Sequence, residues 1–174
     1  MQFATSHLGH FCLVNELFSL ILENKTRVIN MASCMHYAPS GIDFECFTDP
    51  KKFHHHGSYA LSKLCNVLFA KKLSSFGVST CSVHPGAVNS GLYRNDSVIH
   101  SLMTRYFPKL IHLVTLTNEE SVETLLPLCL DDVMLEGGYY WNAEERRMNK
   151  FATKQLADAL WQYSQKAIDT AFSE

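Results

Sequence analysis

The chain has 174 residues, 47% of them hydrophobic, and its 15 basic and 17 acidic side chains give a formal net charge of −2. This length suits one domain with a sizeable core and is short for two, so we expect a single domain over residues 1–174. The charges are mixed along the chain, which argues against nucleic acid as a partner and against an acidic tail.

The cysteines and the N-terminal segment indicate the compartment. Six cysteines are dispersed through apolar segments without a C-x-x-C pair, which is typical of reduced thiols inside the cell. The first residues lack the basic region of a secretory signal, and the most apolar stretch, 11–22, is too short to span a bilayer. We therefore expect a soluble, intracellular, cytoplasmic protein with no transmembrane segment in this chain.

The elements predicted in chain order alternate between helix and strand. Apolar residues at helical spacing predict helices over 3–22, 58–75, 117–130 and 153–172. Short apolar runs predict strands at 27–32, 78–83 and 137–141. This alternation is typical of an α/β unit with parallel strands and right-handed crossovers, in which ligands bind at the carboxyl ends of the strands.

A tyrosine and a lysine are placed for joint chemistry in the second predicted helix. Tyr59 and Lys63 are four residues apart and therefore share one helix face. A neighbouring ammonium favours the phenolate of a tyrosine, which eases proton exchange. Ser33, at the end of the first predicted strand, could hydrogen-bond a substrate oxygen while Tyr59 transfers a proton. Alone, however, this spacing is more often a surface helix pair without chemistry.

The surrounding motifs resemble a known family. They are His-Leu-Gly-His-Phe at 7–11, Arg-Val-Ile-Asn-Met-Ala-Ser at 27–33, Ser-Tyr-Ala-Leu-Ser-Lys-Leu-Cys-Asn-Val-Leu-Phe at 58–69, Val-His-Pro-Gly-Ala-Val at 83–88, Gly-Gly-Tyr-Tyr at 137–140 and Leu-Trp-Gln-Tyr-Ser at 160–164. In this order they resemble the C-terminal part of a short-chain dehydrogenase/reductase, most like the subgroup of the retinol dehydrogenases and the WW-domain oxidoreductase. The resemblance implies a partial Rossmann-like, doubly wound parallel sheet whose N-terminal βαβ units are missing.

The resemblance also implies roles for individual residues. Tyr59 would be the general acid/base, Lys63 would bind the nicotinamide ribose, and Ser33 would orient the substrate oxygen. The residues expected to contact the cofactor are Tyr59, Lys63, Pro85, Gly86, Val88 and Ser90. The implied reaction is reversible hydride transfer between NAD or NADP and an alcohol or a ketone/aldehyde, with the cofactor supplying the hydride.

An apolar segment indicates the substrate class. Residues 92–114 are apolar and aromatic, and they follow the Pro-Gly strand end where the family has its substrate lid. Such a lid would favour a small lipophilic alcohol or carbonyl compound, retinoid- or steroid-like. A core helix of the same composition is the alternative.

Two departures from the family pattern lead to a second functional hypothesis. None of the eight glycines begins the family's T-G-x-x-x-G-x-G turn, so we expect weak NAD(P) binding and an unpaired edge at the strand containing Val28. Ser6 stands where the family usually has a catalytic asparagine. The alternative is therefore an impaired fragment that pairs with a full-length relative, or with a second copy, through helices 3–22 and 59–75.

The histidines have plainer explanations than catalysis or metal binding. Adjacent residues cannot all converge on one ion, so the run 54–56 is interpreted as a solvated loop and no metal site is expected. His84 is interpreted as a strand-end residue beside the cofactor. For His7 and His10 we expect packing or surface positions.

Overall fold

The computed structural model describes residues 2–52, 55–86 and 117–173, apart from the side chains of residues 50, 55 and 56. Its α-helices are α1 (Gly9–Glu16), α2 (Phe18–Glu23), α3 (His55–Ser74), α4 (Asn118–Leu130) and α5 (Lys154–Phe172). Its strands are β1 (Val28–Met31), β2 (Thr80–His84), β3 (Glu136–Trp141) and β4 (Glu144–Arg146). A π-helical turn covers Ala4–Leu8, and 3₁₀ turns cover Cys34–Tyr37, Phe44–Phe47 and Pro50–Lys52.

The described strands form one sheet in the order β1-β2-β3-β4. The pairs β1–β2 and β2–β3 are parallel, which confirms the predicted α/β class. Strand β4 was not predicted; it pairs antiparallel with β3 across a two-residue turn in which Asn142 and Ala143 have φ angles of 53° and 59°. Positive φ at both turn residues is the geometry that matches the twist of a tight hairpin.

Helices cover both faces of the sheet, as the doubly wound prediction requires. On one face, Tyr139 of β3 packs with Leu64 of α3 and Leu160 of α5 in the largest buried cluster. On the other face, Val83 of β2 packs with Leu128 of α4. Successive side chains of a strand point to opposite faces, so the fully buried β2 contributes to both layers. The carboxyl end of β2 therefore opens between two helical layers.

A close approach fixes α3 against the sheet. Gly137 begins the buried part of β3 with a φ of +77°, and a Cβ there would lie 2.6 Å from Ser74 Oγ and 3.0 Å from Lys71 Cα. Any side chain would push the end of α3 away from β3, besides the cost of the positive φ. This glycine sets the distance between the sheet and the helix that carries the catalytic candidates.

Two predicted boundaries are wrong in instructive ways. Helix α3 begins at His55 and not at Ser58, so the solvated-loop interpretation fails for His55 and His56, while His54 lies outside the described residues. Helix starts without apolar residues leave no periodic signal. The predicted helix 3–22 is interrupted at Leu17, where φ is −91° and ψ is 3°.

The break at Leu17 lets both halves of this segment reach the same core. Phe11 of α1 and Ile21 of α2 are both buried in a cluster with Phe69 and Leu73 of α3. Periodicity predicts which residues face the core, but it does not show that a helix is interrupted so that both halves pack on one partner helix. The prediction of a continuous helix therefore fails, although Phe11 and Ile21, two of its predicted core positions, are buried.

His7 makes the folded chain sensitive to acid. Its side chain is fully buried, and Nε2 lies 3.0 Å from Ser164 Oγ of α5. Burial lowers the pKa of His7 from 6.5 to about 3. Because the unfolded chain then binds the proton more tightly, we expect the free energy of unfolding to fall as the pH drops from about 6.5 toward about 3.

Urea unfolding at a series of pH values checks this expectation. The double variant His7→Phe with Ser164→Ala removes the titrating ring and its hydroxyl partner together, so its loss of stability below pH 6.5 should be smaller than that of the wild-type chain. His10→Gln is the comparison variant: it removes an exposed ring whose charge contributes less than burial to the lowered pKa of His7, so most of the slope should remain. An unchanged slope in the double variant would show that His7 does not carry the effect.

Candidate active site

Tyr59 and Lys63 meet on the face of α3 that lies over the end of β1. The Lys63 Nζ atom is 5.5 Å from the centre of the Tyr59 ring. The same ammonium donates a hydrogen bond of 3.1 Å to the Met31 carbonyl, and Asn66 Nδ2 donates to that oxygen at 3.0 Å. Lys63 thus contacts Met31, which precedes Ser33 by two residues at the end of β1.

The Met31 carbonyl is available because it points away from β2. The N–H groups of Val28 and Ala32 bond to β2, so the alternation of a strand turns the Met31 peptide groups to the opposite edge. Within the described ranges β1 pairs only with β2, as the open-edge prediction expects. The side chains of Lys63 and Asn66 satisfy an acceptor that a neighbouring strand would otherwise use.

Partial burial changes the pKa of Lys63. Desolvation lowers the pKa of Lys63, because a charged ammonium is less favourable away from water. No carboxylate within the described part of the chain forms an ion pair with it. The Lys63 ammonium therefore keeps N–H donors for a polar ligand beside the Tyr59 ring.

The Ser33 hydroxyl is held in place at the end of β1 by a hydrogen bond that it accepts. It is buried, with 7% of its surface exposed, and it caps the 3₁₀ turn after β1 by accepting the Met35 N–H at 3.2 Å. Within the described ranges its hydroxyl forms no hydrogen bond with Tyr59 or Lys63. A hydroxyl that accepts through one lone pair can still donate its proton, so Ser33 Oγ could donate to a substrate oxygen.

The end of β2 supplies the other described part of the predicted cofactor site. Pro85 and Gly86 follow the buried His84, and Gly86 has a φ of +88° that favours glycine. Ser121 of α4 donates to the Pro85 carbonyl at 2.8 Å and fixes the exit of the strand. His84 packs edge-on against Trp141 with ring centres 4.9 Å apart, as a strand-end residue. Val88, Ser90 and the predicted lid 92–114 lie outside the described residues.

Three residues near the site were not singled out from the sequence. Asn66 follows Tyr59 and Lys63 on the same helix face, and that spacing could have revealed it. His36 and Asn149 form a buried hydrogen-bonded pair beside Ser33, but they are 113 residues apart and carry no local signal.

Ser6, the predicted substitute for the family asparagine, donates to Gln2 Oε1 at 3.4 Å.

A concave region lies on a face of α3 other than the one that carries Tyr59 and Lys63. A cavity of about 820 Å³ separates the start of α3 from the connection after Tyr37. Helix residues Gly57, Ala60 and Leu61 line it, whereas Tyr59 and Lys63 face β1. The described cavity is therefore distinct from the face that carries the tyrosine–lysine pair.

Comparison with known proteins decides the family. No protein-family model matches the chain. Human retinol dehydrogenase 12 is 34% identical over 172 residues, which cover 91% of this chain and 51% of that protein. Mouse retinol dehydrogenase 14 is 31% identical and covers 97% of this chain and 52% of that protein. The chain belongs to the short-chain dehydrogenase/reductase family.

Further relatives agree with this assignment to the short-chain dehydrogenases/reductases. The chloroplastic short-chain dehydrogenase TIC 32 B of Brassica napus is 29% identical, covering 97% of this chain and 57% of that protein. The chain thus spans about half the length of the curated relatives it matches. None of the helices in the described ranges is long and apolar enough to cross a bilayer.

Solved structures show the same fold. An NADPH-bound carbonyl reductase from chicken fatty liver matches with a TM-score of 0.57 and 14% identity, covering 84% of this chain and 55% of that one. An uncharacterised protein from Mycobacterium paratuberculosis also has a TM-score of 0.57, with 19% identity, covering 94% of this chain and 57% of that one. The described sheet and helices are therefore a partial Rossmann-type fold of the short-chain dehydrogenase/reductase kind.

The described residues fit one end of a dinucleotide. Lys63 and Tyr59 offer an ammonium and a hydroxyl at the sheet's carboxyl edge, and the backbone of Gly86 allows a close approach. The glycine-rich turn that would hold the pyrophosphate is absent from the sequence. Tyr59, Lys63 and Gly86 are among the residues for which the sequence predicts contact with the nicotinamide end of the cofactor.

Proposed function

We propose that the chain carries the proton-transfer half of an NAD(P)-dependent short-chain dehydrogenase/reductase site, interconverting an alcohol with a ketone or aldehyde. The observation that supports this most directly is the Tyr59–Lys63 pair over the end of β1, 5.5 Å from ammonium to ring centre. The nicotinamide, when bound, donates or accepts the hydride. The proposal that the substrate is lipophilic, retinoid- or steroid-like, is based on the apolar composition of residues 92–114.

Each residue then has a distinct task in carbonyl reduction. The Ser33 hydroxyl, fixed by the Met35 N–H, donates to the carbonyl oxygen and orients it. Tyr59 gives its phenolic proton to the same oxygen as negative charge develops there. Lys63 holds the ribose hydroxyls and stabilises the phenolate that remains. Oxidation of an alcohol uses the same groups in reverse, with Tyr59 as the base.

A second candidate is a fragment that acts by pairing with a full-length relative or another copy. The first predicted pairing helix favours it, because this segment presents apolar side chains to solvent, with Leu13 58% and Leu20 54% exposed. Such a chain would perturb its partner without binding NAD(P) itself.

Fluorescence titration of the purified chain with NADPH and NADH separates the two. Saturable micromolar binding would contradict the fragment hypothesis. Absence of binding, together with co-purification of a full-length relative, would contradict the autonomous enzyme.

Lys63→Met is the informative variant in this titration. Loss of a hydrogen bond from a charged donor corresponds to about a tenfold or greater loss of affinity for either nucleotide. The exposed Lys166, replaced by Met, controls for the lost charge and should bind as the wild-type chain does. Equal affinities for the Lys63 and Lys166 variants would remove Lys63 from the site.

A further inference from the structure

The backbone that places Ser33 is held by a histidine from within the same turn. The Ser33 carbonyl accepts two hydrogen bonds from His36, one from its backbone N–H at 3.1 Å and one from ring Nδ1 at 2.7 Å. The Ser33 hydroxyl meanwhile caps the turn at the Met35 N–H. Ser33 is thus fixed at both its side chain and its carbonyl, and His36 supplies the side-chain contact to the carbonyl.

Asn149, which is 113 residues away in the sequence, forms hydrogen bonds with His36. Its backbone N–H donates to His36 Nε2 at 3.4 Å, and its side-chain Nδ2 donates to the carbonyls of His36 at 2.6 Å and Pro39 at 2.8 Å. Its remaining side-chain oxygen accepts the Phe151 N–H at 2.9 Å. Both His36 and Asn149 are buried, so these bonds are shielded from water.

The hydrogen-bond partners select one protonation state of the ring. A carbonyl oxygen only accepts, so His36 Nδ1 carries the hydrogen that reaches Ser33. A backbone N–H only donates, so Nε2 faces Asn149 with its lone pair. Only the neutral ring with its hydrogen on Nδ1 satisfies both neighbours.

The surroundings of the ring agree with a neutral state. It packs between Tyr37 and Tyr139, with ring centres 3.9 Å and 4.1 Å away. Burial lowers the pKa of His36, which keeps the imidazole uncharged at neutral pH.

We propose that His36, locked by Asn149 as the neutral Nδ1–H tautomer, is a positioning residue that holds the Ser33 turn in place. This inference rests on the proposed function, since it assigns His36 a part in orienting Ser33 toward the substrate oxygen. His36 itself does not touch the reacting atoms. It acts through the Ser33 carbonyl and through the turn that carries the Ser33 hydroxyl.

Nuclear magnetic resonance of the chain labelled with ¹⁵N-histidine tests the tautomer directly, without any turnover. At neutral pH the His36 ring should show a hydrogen on Nδ1 and a bare Nε2, and the signal should disappear in His36→Asn. A ring with its hydrogen on Nε2, or one averaging between both forms, would overturn the proposal. This measurement needs only the wild-type fold.

Hydrogen exchange at the Met35 amide tests the positioning. His36→Asn keeps a donor at the place of Nδ1, whereas His36→Gln keeps a polar group only at the place of Nε2. We expect Met35 exchange close to wild type in His36→Asn and roughly two- to tenfold faster in His36→Gln, the range that one hydrogen bond contributes. Equal rates in both variants would contradict the role of Nδ1.

Asn149→Asp tests whether the hydrogen bonds from Asn149 to His36 and Pro39 hold the turn. It loses the two side-chain donors and keeps the acceptor for Phe151, so Met35 exchange should again quicken by roughly two- to tenfold. The exposed Asn142, replaced by Asp, is the matched control and should leave the rate unchanged. Exchange at the wild-type rate in Asn149→Asp would show that Asn149 does not hold the turn.

Kinetics separate this inference from the proposed function. Where the wild-type chain turns over a carbonyl substrate, His36→Gln should lower kcat with little change in KM, and His36→Asn should restore it. A wild-type chain that binds no nucleotide and co-purifies with a full-length relative would contradict the proposed enzyme, whereas the tautomer and exchange results would still decide whether His36 holds the turn.

Discussion

Tyr59→Phe should lower carbonyl reduction by about 10²- to 10⁴-fold, the range that a positioned general acid contributes. The substitution removes only the phenolic oxygen and keeps the ring against which the Lys63 ammonium lies. Nucleotide affinity should therefore change far less than kcat. Initial rates of NADPH oxidation with a lipophilic aldehyde, paired with the fluorescence titration, measure both quantities on the same preparation.

The control for this prediction is another tyrosine that is also partly exposed. Tyr140 of β3 packs with the cluster on the α4 side of the sheet, so Tyr140→Phe removes a phenolic oxygen away from the site. Its rate should remain within about twofold of the wild type, since substitutions away from a functional feature have small effects. Turnover that survives Tyr59→Phe would show that another group supplies the proton.

The sequence predicted the parallel strands because short apolar runs leave a local signal. Strand β2 is fully buried, and such a strand needs no alternation to be recognised. Strand β1, at the edge of the described sheet, has only Asn30 buried. The start of the predicted helix 117–130 also depends on a local pattern, because Thr117 and Glu120 form both hydrogen bonds of a capping box. Strand β4 was not predicted, because all of its residues, Glu144–Arg146, are charged and exposed.

In the candidate site, too, local sequence patterns predict some contacts and leave others unpredicted. The pairing of Tyr59 with Lys63 follows from helical spacing, and its place over β1 follows from the position of Ser33 after that strand. The contact of Lys63 with the Met31 carbonyl depends on which edge of β1 is open, which no local pattern records. The hydrogen bond from Asn149 to His36 joins residues that are 113 positions apart in the sequence, and only the folded structure reveals it.

Leu68→Ala should lower the free energy of unfolding by about 2–5 kcal/mol, as expected for truncating a fully buried leucine. Leu68 has no exposed surface and packs in the cluster that joins α3 to β3 and α5. Since Tyr59 and Lys63 belong to the same helix, the loss should extend to the site. Urea unfolding followed by circular dichroism gives the change in stability.

Leu13→Ala is the matched control, because Leu13 of α1 is 58% exposed and its truncation leaves no internal cavity. Its stability should change by about 0.5 kcal/mol or less. In Leu68→Ala, amide exchange should quicken along α3 as far as Tyr59 if the core face of the helix holds its catalytic face in place. Exchange that quickens only around Leu68 would show that the Lys63 and Asn66 bonds to Met31 hold the first half of α3 without help from this core.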